Sequence, residues 1–176
     1  MEHAVVSIIA IAIILGGTVT LAFSAISPID TIMSSWKQVS KQTGETMRTE
    51  IATTGSEFPV PGSGSRVEIT IRNNGNLSLS KYHSWDVITQ YYSDNTSYSV
   101  KWLPHTDNIS DNKWTVSGIY FNGSPETVEP NILNPGEDMK LLMQLDPPVG
   151  TDTTNWATIS TPNGVSTKII FQREGS

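Results

Sequence analysis

The sequence predicts an α+β fold: a long apolar N-terminal helix followed by an antiparallel β-sandwich or barrel head. Three observations carry this expectation. From Ala4 to Ile29 there is no charged residue, and about 20 apolar residues suffice to cross a bilayer as a helix. From about Ser56 onward, short runs alternate apolar and polar residues, the period of half-buried strands. Gly, Pro and Asn turn signals separate those runs, with no helical period between them.

The helical pattern continues past Pro28. Ile29, Ile32, Met33, Trp36, Val39, Thr43, Met47 and Ile51 recur three or four apart, while Asp30, Lys37, Lys41, Glu45 and Arg48 take other faces. A helix from Met1 to about Ala52 would be about 75 Å long, more than twice the hydrocarbon thickness. Such a helix needs apolar neighbours along its whole length, and identical copies in a bundle supply them. The expected packing residues are Val5, Ile8, Ile9, Ile11, Ile14, Leu15, Val19, Phe23, Ile32 and Trp36. Ala10, Ala12, Gly16, Gly17, Ala22 and Ala25 would let such helices approach closely. A secretory signal fits poorly, because the run is too long and no Lys or Arg precedes Lys37. The expectation is that Met1 follows a short basic leader that has been removed.

The predicted organisation is a polymerisation helix over residues 1–54, a hinge over 55–65 containing the segment GSEFPVPGSGS, and a β-sandwich over 66–176. In the head, RVEITIR sets Val67, Ile69 and Ile71 on one face, and Asn73-Asn74-Gly75-Asn76 makes a turn. Trp85, Val87, Thr89 and Tyr91 mark the next strand, followed by Tyr98, Val100 and Trp102, then by Trp114, Val116 and Tyr120. The three indoles at Trp85, Trp102 and Trp114 alternate as core residues do. Asn134-Pro135-Gly136 turns into Met139, Leu141, Met143 and Leu145. Asn163-Gly164, a strong hairpin signal, joins Thr154–Ser160 to Val165–Phe171.

Composition narrows the function. The net charge is −6 and the 11 cationic residues are scattered, which argues against a nucleic-acid partner. There is no cysteine, hence no disulfide framework and no thiolate metal site. His3, His83 and His105 lie too far apart in sequence to show a metal-ligand spacing, and His83 and His105 read as surface or turn residues. Asp94, Asp107 and Asp111 sit in turn-rich segments without the spacing of a calcium loop. No cofactor, metal or catalytic residue is expected. Sequons at Asn76, Asn95, Asn108 and Asn122 fall at or near turns of the head, where a glycan would face water.

The combined pattern resembles the archaellins, the archaeal type IV pilin-like filament subunits. The resemblance rests on the apolar helix with a β-sandwich behind it, on ILNPGEDMKLLMQLD from Ile132 to Asp146, and on the closing hairpin with its Thr161-Pro162-Asn163-Gly164 turn. One position departs from bacterial-style pilins, which carry a glutamate at the fifth mature residue; here Val5 stands there and the acid is Glu2. The resemblance implies processing by a prepilin-type peptidase, residence in the cytoplasmic membrane before assembly, extraction by an assembly ATPase, and burial of the helix in the core of an extracellular filament. It also raises the expectation of glycans, since archaellins are commonly glycosylated.

The functional expectation is a non-enzymatic homopolymer built through N-terminal helices: the structural subunit of a swimming filament. The alternatives are an adhesive archaeal-type pilus, a membrane-anchored β-sandwich acting as a stator or binding a surface layer, and a tethered carbohydrate-binding module using Trp85, Trp102 or Trp114.

Overall fold

The computed structural model describes residues 2–94 and 96–175; within the helix, the side chains of residues 2–4, 19 and 21–28 lie outside the description. The chain divides into two compact units, Met1–Gly44 and Glu45–Ser176.

The first unit is occupied by α1 (Glu2–Arg48), which ends inside the second. Its hydroxyls do not break the helix, because they turn back onto it. Thr18 donates to the Leu15 carbonyl at 3.0 Å, and Ser34 and Ser35 donate to the Thr31 carbonyl at 2.8 and 2.9 Å. Among the described residues, no helix is long and apolar enough to cross a membrane. The expected apolar run from Ala4 to Ile29 falls in part on side chains outside the description, at residues 4, 19 and 21–28.

The helix ends earlier than its period implied. Ile51 and its neighbours, expected in the helix and hinge, form strand β1 (Ile51–Glu57) and pair with β2 (Arg66–Asn73). The physical reason is a ready partner. The turn after β2 folds back on the helix end, so the amides of Asn74 and Gly75 donate to the Glu50 carbonyl and that of Asn76 to Arg48, at 2.8–3.1 Å. The Asn76 bond satisfies a carbonyl that the helix terminus leaves open, and the other two hold Glu50 just past it. Gly75 is required there, since a Cβ would stand 2.5 Å from the Arg48 carbonyl oxygen. Asn163 adds a second tie: its side-chain amide donates to the Thr49 hydroxyl at 2.6 Å, and the Thr46 hydroxyl donates to the Asn163 carbonyl at 3.0 Å.

The remaining strands are β3 (Asp86–Tyr92), β4 (Tyr98–Leu103), β5 (Lys113–Phe121), β6 (Ser124–Pro125), β7 (Asp138–Gln144), β8 (Asn155–Ser160) and β9 (Ser166–Phe171). They form two antiparallel sheets, ordered β1-β2-β7-β5-β6 and β4-β3-β8-β9. The α+β class with antiparallel sheets therefore holds. In the first sheet Val67, Ile69 and Ile71 stand opposite Met143, Leu141 and Met139, all fully buried. The second sheet contributes Val87, Tyr91, Leu103, Ala157, Ile159 and Phe171 to the same core.

Trp85 and Trp114 are buried as expected, and the Trp85 indole donates to the Ser80 carbonyl at 3.1 Å. Trp102 is not: 58% of it is exposed. Alternation fixes which residues share a face but not which face is inner. Pairing of Val87 with Leu103 turns Leu103 inward, so Trp102, opposite Ile88, points out.

Truncating the centre of this core should be costly. Leu141→Ala is expected to destabilise the chain by about 2–5 kcal/mol, read as a lower urea midpoint with an unchanged slope.

Candidate functional site

Three surfaces bear on function. The first is the apolar surface of α1. Of the expected packing residues, Val5, Ile8, Ile9, Ile11, Ile14, Leu15, Ile32 and Trp36 are all exposed in the single chain, Trp36 to 70%. Val19 and Phe23 lie outside the described side chains. Ile29, Met33 and Val39 extend this surface towards the end of the first unit.

The second surface is the outer face of the β1-β2-β7-β5-β6 sheet, which is charged and internally neutralised. Lys140 lies between Glu57 at 2.9 Å and Glu68 at 2.6 Å, and Ser117 donates to the other Glu68 oxygen at 2.7 Å. Arg72 makes a two-pronged contact with Asp138 at 2.8 and 2.6 Å. The hydrogen bond from Lys140 holds the Glu57 carboxyl below its ordinary value, and the two glutamates raise the Lys140 ammonium.

The third is the outer face of the β4-β3-β8-β9 sheet, where large apolar side chains share the surface with Asp86, Gln90, Thr158 and Lys168. Tyr92 and Tyr98 stand opposite one another with ring centroids 5.1 Å apart, and Ile88 stands opposite Trp102. On the next pair, Trp156 stands opposite Ile170, and the Lys168 ammonium lies 5.3 Å from the Trp156 ring centroid. The Trp102 indole donates to Asp86 at 2.9 Å, which fixes the ring on the sheet. Sequence reading missed this face because it assigned Trp102 to the core. The alternation of Lys168 and Ile170 against buried Phe171 was the available signal.

The polar candidates are scattered. His83 is exposed in a short 3-10 turn, whereas His105 packs edge-on against Trp114, 4.8 Å between centroids. Burial pushes the His105 imidazole down, against a smaller opposing pull from Asp107. A cleft of about 440 Å³ includes His105, Asp107, Tyr120, Glu126 and Asn131 in its lining. Among the described residues no three His, Asp or Glu converge in a way that could hold a metal ion. Asp94 pairs with Arg173 at 2.9 Å, and Asp111 accepts from Gln144 at 2.6 Å. Asn76, Asn108 and Asn122 are exposed, and Asn95 lies outside the described residues.

No protein-family model and no curated protein matches the chain. Solved structures do. The archaeal flagellin FlaB1 of Methanocaldococcus jannaschii superposes with a TM-score of 0.55 at 12% identity, covering 73% of this chain and 91% of its own. The archaeal flagellum of Methanospirillum hungatei strain JF1 gives a TM-score of 0.52 at 14% identity, covering 95% of this chain and 92% of its own. The periplasmic stator complex of FlaF and FlaG from Sulfolobus acidocaldarius gives 0.50 at 20% identity, covering 70% and 89%. The fold is archaellin-like.

The charged face generates a pH dependence. Because the folded Glu57 carboxyl lies below its ordinary value of 4.5, its contribution is present above that value and is lost as pH falls through the folded one. Lys140→Met should lower stability at pH 7 by about 1–3 kcal/mol, since Glu68 loses its cation, and should flatten the acid limb. The check is the difference in Tm between pH 7 and pH 3, expected to be smaller in the variant.

Proposed function

We propose that this chain is a structural component of an archaellum-type apparatus, and specifically a subunit of its swimming filament. One observation carries the reading: large apolar side chains are exposed along α1 from Val5 to Val39, far beyond what a lone helix in water keeps uncovered. Copies of the same helix cover them best. The similarity to the Methanospirillum hungatei flagellum supports this, because it spans 95% of the chain and so takes in helix as well as head.

On this reading the helical unit polymerises through Val5, Ile8, Ile9, Ile11, Ile14, Leu15, Val19, Phe23, Ile32 and Trp36, and the β unit faces outward. A prepilin-type peptidase and an assembly ATPase handle the chain, which passes from membrane to extracellular filament. Asn76, Asn95, Asn108 and Asn122 are its candidate glycan sites. The role is mechanical rather than catalytic. Stalks in unlike, head-to-tail contact make an open helix instead of a closed ring.

A second reading is favoured by one finding. The FlaF and FlaG stator complex shares 20% identity with this chain, more than either filament protein. As a stator component, the chain would keep its helix anchored and present the head alone.

Immunogold labelling of the head on motile cells separates the two. Label along the shaft is the filament outcome; label at the filament base alone overturns it in favour of the stator. Trp36→Glu is expected to cut fibre yield more than about tenfold, because an unpaired carboxylate would be buried in every subunit, while membrane-bound chain persists. Wild-type fibre yield from this variant would remove the helix from the filament core.

A further inference from the structure

The head carries two unlike apolar features that its own fold leaves uncovered. One is the broad outer face of the β4-β3-β8-β9 sheet, with Ile88, Tyr98, Val100, Trp102 and Ile170 all exposed, Val100 to 59%. Its edge strand β4 carries one edge device, the inward-facing Lys101 opposite buried Thr89. It has an unbroken register with β3, no internal proline, and a single charge, Lys101, that is drawn aside to the Asp146 carbonyl and to Asn112 at 2.9 Å. The other feature is a narrow tip. Val128, 85% exposed, sits in the loop after β6, with Phe121 exposed at the end of β5.

The tip is braced. One Glu126 carboxylate oxygen accepts the amides of Val128 at 2.6 Å and Glu129 at 3.3 Å. A side chain held out on a fixed turn loses little freedom on contact. The charges around the two features are complementary. The sheet face bears Lys168 beside Trp156, with its one acid, Asp86, held at the Trp102 indole on the other side of the face; the tip is flanked by Glu126 and Glu129. On a chain of net charge −6, most approaches between copies are repulsive, and this one brings an acidic loop to a cation.

We propose that the Val128 tip of one copy seats on the outer face of the β4-β3-β8-β9 sheet of the next copy. The proposal rests on the reading that copies of this chain associate, and it names the head surfaces through which they do so. Because tip and face differ, the contact is head-to-tail, and it leaves a free tip and a free face at the two ends of any row.

The chain contains no cysteine, so the contact can be trapped cleanly. Full-length chain carrying Val128→Cys and Val100→Cys together, treated on intact cells with a short bis-maleimide, should give a ladder reaching beyond trimer on a denaturing gel. Each single variant should stay monomeric, and co-expressed single variants should stop at dimer. A dimer from Val100→Cys alone would overturn the proposal, since the face would then close on a second face. Monomer in every case, with fibres visible by microscopy, would also overturn it and leave the filament reading standing. A ladder without fibres would uphold the head contact and remove the filament reading.

Discussion

The ladder between β2 and β7 is the contact on which the rest of the head depends. Val67, Ile69 and Ile71 meet Met143, Leu141 and Met139 across it with no solvent exposure. β7 also carries β5 on its other edge, and β2 carries β1. Slipping one strand of this pair by one residue would turn its three apolar side chains to the outside and bring Glu68 and Thr70, or Lys140 and Leu142, into the core. The core therefore determines where the ion pairs of the outer face fall: Glu68, Lys140 and Asp138 are outward because their neighbours are inward.

The same rule acts on the second sheet with a different outcome. There the inward set includes Val87, Tyr91 and Ile159, and the outward set still includes Ile88, Tyr98, Val100, Trp102 and Ile170. One sheet is thus finished for water by its own charges, with both Glu57 and Glu68 bound to Lys140. The other exposes tyrosine, tryptophan and branched aliphatic side chains across adjacent strands, a contiguous apolar area of the kind that marks contact surfaces. The asymmetry sets a charged outer face against an apolar-rich one within one small domain.

Much of this was legible in the residues. The alternation of Met139, Leu141 and Met143 gave β7, and Asn163-Gly164 gave the β8-β9 hairpin, because period two and turn chemistry are local. Local signals failed where a distant partner decided the outcome. Trp102 shows the same alternation as Trp114, yet only its pairing with Ile88 shows which side it takes. Ile51 continues the spacing of the helix, yet it is paired with Asn73 in a strand. The turn at Asn73–Asn76 was readable; its seat on Arg48 and Glu50 was not, since nothing local couples the two. The apolar face of the second sheet was missed for a related reason: its members come from four separate strands.

The order of strands has a consequence for the timing of synthesis. In the first sheet β2 lies between β1 and β7, and in the second β3 lies between β4 and β8. Val67 must wait for Met143, and Val87 for Ile159, before either acquires its neighbour. Contacts so remote in sequence fold slowly. The helix, by contrast, needs only its own residues and is complete when the first strand has barely emerged. During each round of synthesis the apolar helix is therefore presented well before the head can take its shape, so whatever receives the growing chain meets the helix first and must hold it through that interval.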